Sequence, residues 1–387
     1  GDEAGTAITT GDQNTAVGFT ALTANSTGND NTSVGYQALR DNTTATGNTA
    51  VGMNSLALNT TGASNTALGV SALLLNTTGG TNVAIGGSAL ASNTTASNNT
   101  AVGQSALQAN TTGAENTAIG ANALDANTTG SANVAVGQGC LDTNTTGLQN
   151  TAVGHDSMKS NTTGQENVAI GKAALNANTT ANHNTAVGRS ALSLNTTASN
   201  NTAVGYYSLL SNTTGIRNTA TGSLSLYSNT TGNNNVAMGY ANLYANTTGQ
   251  DNTALGYGVM QSNTTGSNNI AVGTNALNSN TTASGNTAVG SSALYANTTG
   301  LQNTSVGSGA IDSNTTGSYN TAVGYLSLHH NTTGLQNVAI GRTALENATT
   351  AQDNTAVGMD AGYTTTTGRD NTFIGHAVRG TSATVNY

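Results

Sequence analysis

Asn99-Thr100-Ala101-Val102-Gly103-Gln104-Ser105-Ala106-Leu107-Gln108-Ala109-Asn110-Thr111-Thr112-Gly113-Ala114-Glu115 is one unit of a repeat that returns every 17 residues without insertion or deletion. Its leading asparagine heads twenty-two units, from Asn14 to Asn371. A period this strict is the signature of a solenoid, in which each unit packs only against its neighbours. Numbering the positions 1 to 17 from that asparagine makes every column one structural site, sampled up to twenty-two times.

Position 5 is Gly in all twenty-two units, from Gly18 to Gly375, so the backbone there adopts a turn or a close approach that a Cβ forbids. Position 15 accepts Gly28 and Gly62 but also Ala45 and Ala96, which asks for small size only. Position 4 is apolar except at Thr221, and position 9 is Leu, Met or Ile from Leu22 to Leu345; these two columns are the expected interior. No helix of ten or more residues fits between the position 5 glycine and the Asn-Thr-Thr-Gly turn, and Thr or Val at position 2 favours strands. Short strands are predicted at positions 1 to 4 and near 7 to 10. The fold class is thus all-β, a parallel β-solenoid of twenty-two coils of 17 residues. Coils stacked about 4.8 Å apart make a rod roughly 105 Å long. Asparagines at positions 1 and 12 become ladders bonded to the Asn above and below. Position 3 is Ala or Ser in every unit but one, so both strand faces are restricted, and the face turned away from the interior is expected against another chain.

The unbroken period argues for a single solenoid domain over residues 1–387. It opens on a partial coil at 1–13 and its last coil begins at Asn371, which reads as an excerpt of a longer fibre protein. Only 6% of residues are charged, and Pro and Trp are absent. Disorder usually needs high charge or proline, and eight Lys and Arg form no basic stripe for nucleic acid. There is no apolar run long enough to insert in a membrane. The lone Cys140 stands at position 8 among Ala and Ser, as a small buried side chain, and permits no disulfide within the chain.

The segments Asn82-Val83-Ala84-Ile85-Gly86, Asn167-Val168-Ala169-Ile170-Gly171 and Asn337-Val338-Ala339-Ile340-Gly341 resemble the Ser-Val-Ala-Ile-Gly motif of trimeric autotransporter adhesin heads, the YadA-like family. The resemblance covers the whole chain. It implies a left-handed β-roll and a homotrimer on the cell surface, adhering to host cells, extracellular matrix or glycans. This unit departs from the family's shorter repeat by about three residues around Asn-Thr-Thr, and Thr holds position 2 in sixteen units. Similar repeats occur in phage tail-fibre-like proteins, so a receptor-binding shaft of a virion fibre is the alternative reading.

Candidate chemistry follows the columns. Position 12 is Asn in nineteen consecutive units with Thr two residues on, so Asn25, Asn42, Asn59 and Asn76 begin a series of glycosylation sequons. Paired threonines such as Thr60-Thr61 and Thr77-Thr78 suggest an ice-binding array if they face outward, or hydroxyls bonded to backbone if they form a turn. Asp125 and Asp142 share position 10 in successive coils, the best available carboxylate pair for a polysaccharide depolymerase, though no His or Arg pattern supports them. His329-His330 has no accompanying cluster, the calcium-binding nonapeptide is missing, and no cofactor or metal is expected. The chain is therefore read as a non-enzyme. Six of its twelve tyrosines, Tyr206, Tyr207, Tyr227, Tyr240, Tyr244 and Tyr257, lie close together, with Tyr240 and Tyr257 sharing position 6 and Tyr227 and Tyr244 sharing position 10. They are the candidate contacts to a glycan or partner.

Overall fold

The structure, a computed structural model, describes residues 1–379; the end of the last coil, with Tyr387, lies outside the described residues. It falls into two compact units, Gly1–Thr197 and Ala198–Tyr387. The 17-residue period of the sequence carries no mark at that boundary. Among the described residues there is no helix.

In the first unit, strands β1 (Thr15–Val17) to β11 (Thr185–Val187) recur at 17-residue steps. Each pairs in parallel with the next in strict register, as Thr15 with Thr32 and Val168 with Thr185. In the second unit, β12 (Thr202–Val204) to β22 (Thr372–Ile374) do the same, as Thr202 with Thr219 and Thr355 with Thr372. Both units are parallel β-solenoids of one fold class, as the columns predict.

Each strand covers positions 2 to 4 only. The strand expected near positions 7 to 10 is a turn instead, because positions 7 and 9 are left-handed: Ser105 and Leu107 both have φ of 54°. A left-handed leucine costs about 1–2 kcal/mol. Full burial of its side chain returns about 1.5–3 kcal/mol, so burial wins. Leu107 is fully enclosed, and its amide donates to Ala123 O at 2.9 Å, keeping the coil-to-coil ladder intact through the turn. Position 17 is left-handed too, as at Asp30 and Asn98.

The expected interior needs a second correction. Position 9 is inside, but position 4 points out: Val17 is 54% exposed, Leu68 46% and Ile119 41%. The inward strand residue is position 3, with Ala50, Ala101 and Ala152 fully buried. The physical reason is thinness. With a leucine already in the coil, the facing strand slot admits only a side chain the size of Ala or Ser. The chain demonstrates this by exchange near its end, where position 9 becomes Gly362 and position 3 of the next coil becomes Phe373. A Cβ added to Gly362 would lie 2.8 Å from Phe373 Cδ2. Phe373 fills the space the leucine vacates and is 5% exposed.

The position 5 glycine is required on both counts considered. Gly103 has φ of +137°, and a Cβ there would stand 2.5 Å from the carbonyl oxygen of Gly120 in the next coil. Two buried asparagine ladders complete the interior. At position 12, Asn110 Nδ2 donates to Asn93 Oδ1 at 3.1 Å and to Gly113 O at 2.9 Å, while Asn110 Oδ1 accepts from Asn127 at 2.9 Å. At position 1, Asn116 donates its backbone N–H to Asn99 Oδ1 at 3.0 Å and its side-chain amide to Gly130 O at 2.9 Å. Buried amides satisfied at both ends stabilise the stack; left unpaired, each would cost about 1–3 kcal/mol.

Candidate functional surfaces

With positions 1, 3, 8, 9 and 12 committed to the interior, only the outward columns are free for chemistry. The strand face carries position 2, mostly threonine and half-buried, and position 4, mostly valine, leucine or isoleucine. In register, these make two parallel stripes on each unit, one hydroxyl-bearing and one apolar. In the first unit the apolar stripe widens, because position 6 adds Phe19, Tyr36, Met53 and Val70, all about half exposed. Phe19 and Tyr36 stack with centroids 5.6 Å apart. Sequence reasoning passed over this patch, although four bulky apolar residues in one variable column signal it.

The sequon asparagines are not on a surface. Asn25, Asn42, Asn59 and Asn76 have no exposure, and their Nδ2 groups are hydrogen-bonded, as Asn42 to Asn25 Oδ1 at 2.8 Å and Asn76 to Asn59 Oδ1 at 2.8 Å. The folded coil offers no access to the nitrogen a glycan would need. The neighbouring threonines divide. Position 13 hydroxyls donate to the next coil's carbonyl, as Thr60 to Thr77 O and Thr77 to Thr94 O, both at 3.0 Å. Position 14 is exposed, as at Thr61 and Thr78. Only one threonine of each pair therefore faces solvent.

The six tyrosines resolve into a run of four and a pair. Tyr206 and Tyr207 lie with centroids 4.0 Å apart, Tyr207 meets Tyr227 edge-on at 6.3 Å, and Tyr227 stacks on Tyr244 at 5.0 Å. Tyr240 stacks on Tyr257 at 5.3 Å, 14° from parallel. Tyr206, Tyr240 and Tyr257 are exposed and the other three half-buried. Stacking covers one face of each ring in the Tyr227–Tyr244 and Tyr240–Tyr257 pairs. The same segment has unusual interior chemistry. Asn242 stands at position 8, fully buried, donating to Met238 O at 2.7 Å and Gly256 O at 2.9 Å and accepting from Val259 N at 2.9 Å.

Asp125 lies close enough to Asp142 to sense its charge. Burial, and then the charge of Asp142, raise the Asp125 carboxyl above its ordinary value. Burial also raises Asp142, opposed by Lys159, which pairs with Asp156 at 3.1 Å. His329 and His330 pack edge-on at 4.6 Å, and His329 Nδ1 lies 3.0 Å from Gly309 O. Below them, burial raises Asp312, with both histidines opposing. Among the described residues no group of three His, Cys, Asp or Glu is placed to hold a metal. Cys140 is buried, its thiol donating to Gly154 O, and burial raises its pKa. Among the described residues no helix is long and apolar enough to cross a membrane.

One cluster of ionisable side chains was not anticipated from the sequence. Arg342, Thr343, Glu346, Asp360, Tyr363 and Arg379 line a surface cleft of about 350 Å³ in the second unit. The Thr343 hydroxyl donates to Asp360, and the Arg379 guanidinium lies over the Tyr363 ring, 5.7 Å from its centroid. The available signal was a concentration of ionisable side chains in neighbouring units, at positions 6, 7 and 10 with Arg379 at position 9, in a chain that is only 6% charged.

No protein-family model matches this chain, and no curated protein matches it.

Proposed function

We propose that the chain is a structural and adhesive segment of an extracellular or cell-surface fibre, built by side-by-side association of identical copies through the outward strand face. One observation carries this reading: the large apolar strand residues point out and the small ones point in. The thin interior explains the small residues inside, but a chain selected to stand alone in water would favour polar side chains at position 4. Covering a half-exposed Val, Leu or Ile contributes about 1 kcal/mol, half the value for full burial. Four such residues in the first unit, Val17, Leu68, Ile119 and Ile170, with smaller gains from the part-buried residues between them, give a sum within reach of an association cost of about 4–15 kcal/mol. The number three comes from the resemblance to trimeric adhesin heads, and closed cyclic symmetry leaves no apolar stripe uncovered.

Display is the mechanism. The stripe associates copies, while positions 6, 7 and 10 vary and present side chains to cells, matrix or glycans. Weak contacts repeated on several copies then sum through avidity. Sedimentation equilibrium tests the assembly: the expected mass is three chains of 38.1 kDa, and Val102→Lys with Val136→Lys reduces it to one while keeping the β circular dichroism. A wild-type monomer at micromolar concentration overturns the reading. Tyr240→Ser with Tyr257→Ser tests the display surface: attachment falls while the assembly persists, and unchanged attachment removes those tyrosines from the contact.

A further inference from the structure

We infer that the cleft between Arg342 and Arg379 binds a carboxylate-bearing sugar residue. The inference deepens the adhesive reading and rests on it for its biological setting, but the cleft's chemistry stands on its own residues. Two of the chain's eight Lys and Arg line this one cleft, and among the described residues neither forms an ion pair. Arginines in that state present forked donors that match a planar carboxylate. Arg379 is braced by Tyr363, so less freedom is lost when it binds.

The rest of the lining selects the kind of anion. Glu346 and Asp360 repel a dense polyanion such as a polyphosphate, but accept hydrogen bonds from hydroxyl groups. Asp360 is positioned by the Thr343 hydroxyl. The half-buried Tyr363 ring lies under the Arg379 guanidinium, and its hydroxyl can exchange hydrogen bonds with a sugar's hydroxyl groups. One carboxylate on a ring rich in hydroxyls satisfies all of these groups together; a neutral sugar leaves the arginines unused. A volume of about 350 Å³ lies at the small end of the range for ligand clefts and suits one or two sugar rings.

Ligand-observed saturation-transfer NMR on the full chain tests this, with glucuronic acid and N-acetylneuraminic acid as probes and glucose as the neutral control. The acids are expected to receive saturation and glucose not. Arg342→Gln and Arg379→Gln, both at exposed positions, each weaken binding by about tenfold or more, the scale of a lost charge-assisted hydrogen bond. Lysine at either position restores part of it. Equal transfer to glucose, no transfer to either acid at millimolar concentration, or full binding by both glutamine variants overturns the inference. The readout needs neither cells nor self-association. Acid binding without attachment would leave this site standing and refute the adhesive reading; attachment without acid binding would do the opposite.

Discussion

In the coil Asn99–Glu115 every inward column holds its commonest residue, whereas beyond Asn337 the inward columns change one after another. Ala348 replaces an asparagine, Gly362 a leucine, Thr365 another asparagine and Phe373 an alanine. The regular coil has both ladders closed. At and beyond the edge of that stretch, Asn331 Oδ1 and Thr365 Oγ1 are buried without a partner, because Ala348 between them has nothing to offer either. The arginine-lined cleft lies in the same stretch. A coil that satisfies every neighbour has little left to vary, and this cluster of ionisable side chains stands where the repeat is relaxed.

The largest effect should come from breaking the regular region. Gly103→Ala puts a Cβ against the Gly120 backbone at a positive φ, and is expected to destabilise the first unit by about 3–5 kcal/mol in guanidinium unfolding. Gly362→Ala should cost less, since its neighbours are the ends of Leu345 and Phe373. Equal costs would remove the distinction between the two regions. Next, Asn110→Ala leaves Asn127 Nδ2 and Asn93 Oδ1 each short of a partner, an expected loss of about 2–4 kcal/mol. A change below about 0.5 kcal/mol would mean that the ladder contributes little.

The converse substitution sharpens the comparison. Ala348→Asn places an amide between two orphans, able to donate to Asn331 and accept from Thr365, and should stabilise the second unit by about 1 kcal/mol in thermal unfolding. Loss of stability would show that the gap is filled in some other way. The smallest effect is electrostatic. The Asp125 carboxyl is raised above its ordinary value of 3.8, so the folded state favours its protonated form. The stability this gives is complete below that value and is lost as pH rises through the folded pKa. Asp125→Asn should thus be slightly more stable than the parent at neutral pH, with the difference closing in acid. A variant less stable at neutral pH would reverse the sign of this argument.

The period, the parallel register, the asparagine ladders and the glycine corner were legible because each column repeats one physical requirement many times. Direction was harder to read. Val102 and Ala101 are both apolar, and strand alternation says that they part without saying which goes inward; that depends on the space left by Leu107, a three-dimensional quantity. Left-handed Leu107 was hidden as well, since its side chain advertises burial and conceals its backbone. Position 17 did carry a signal, in its many Asn, Asp and Gly residues, but it read as surface variation. The cleft was illegible for a different reason: Arg342, Asp360 and Arg379 come from three successive units and meet only through stacking.

The glycine contact has one more consequence. Gly86 rests against Gly103 as Gly103 rests against Gly120, and the ladders at positions 1 and 12 match in the same way. Excising Asn99–Glu115 would leave Gly86 facing Gly120 with every joint of the same kind restored. Recombination within the gene can therefore lengthen or shorten the protein in steps of 17 residues without inventing a new interface. Length then changes without altering the side chains that the remaining coils present.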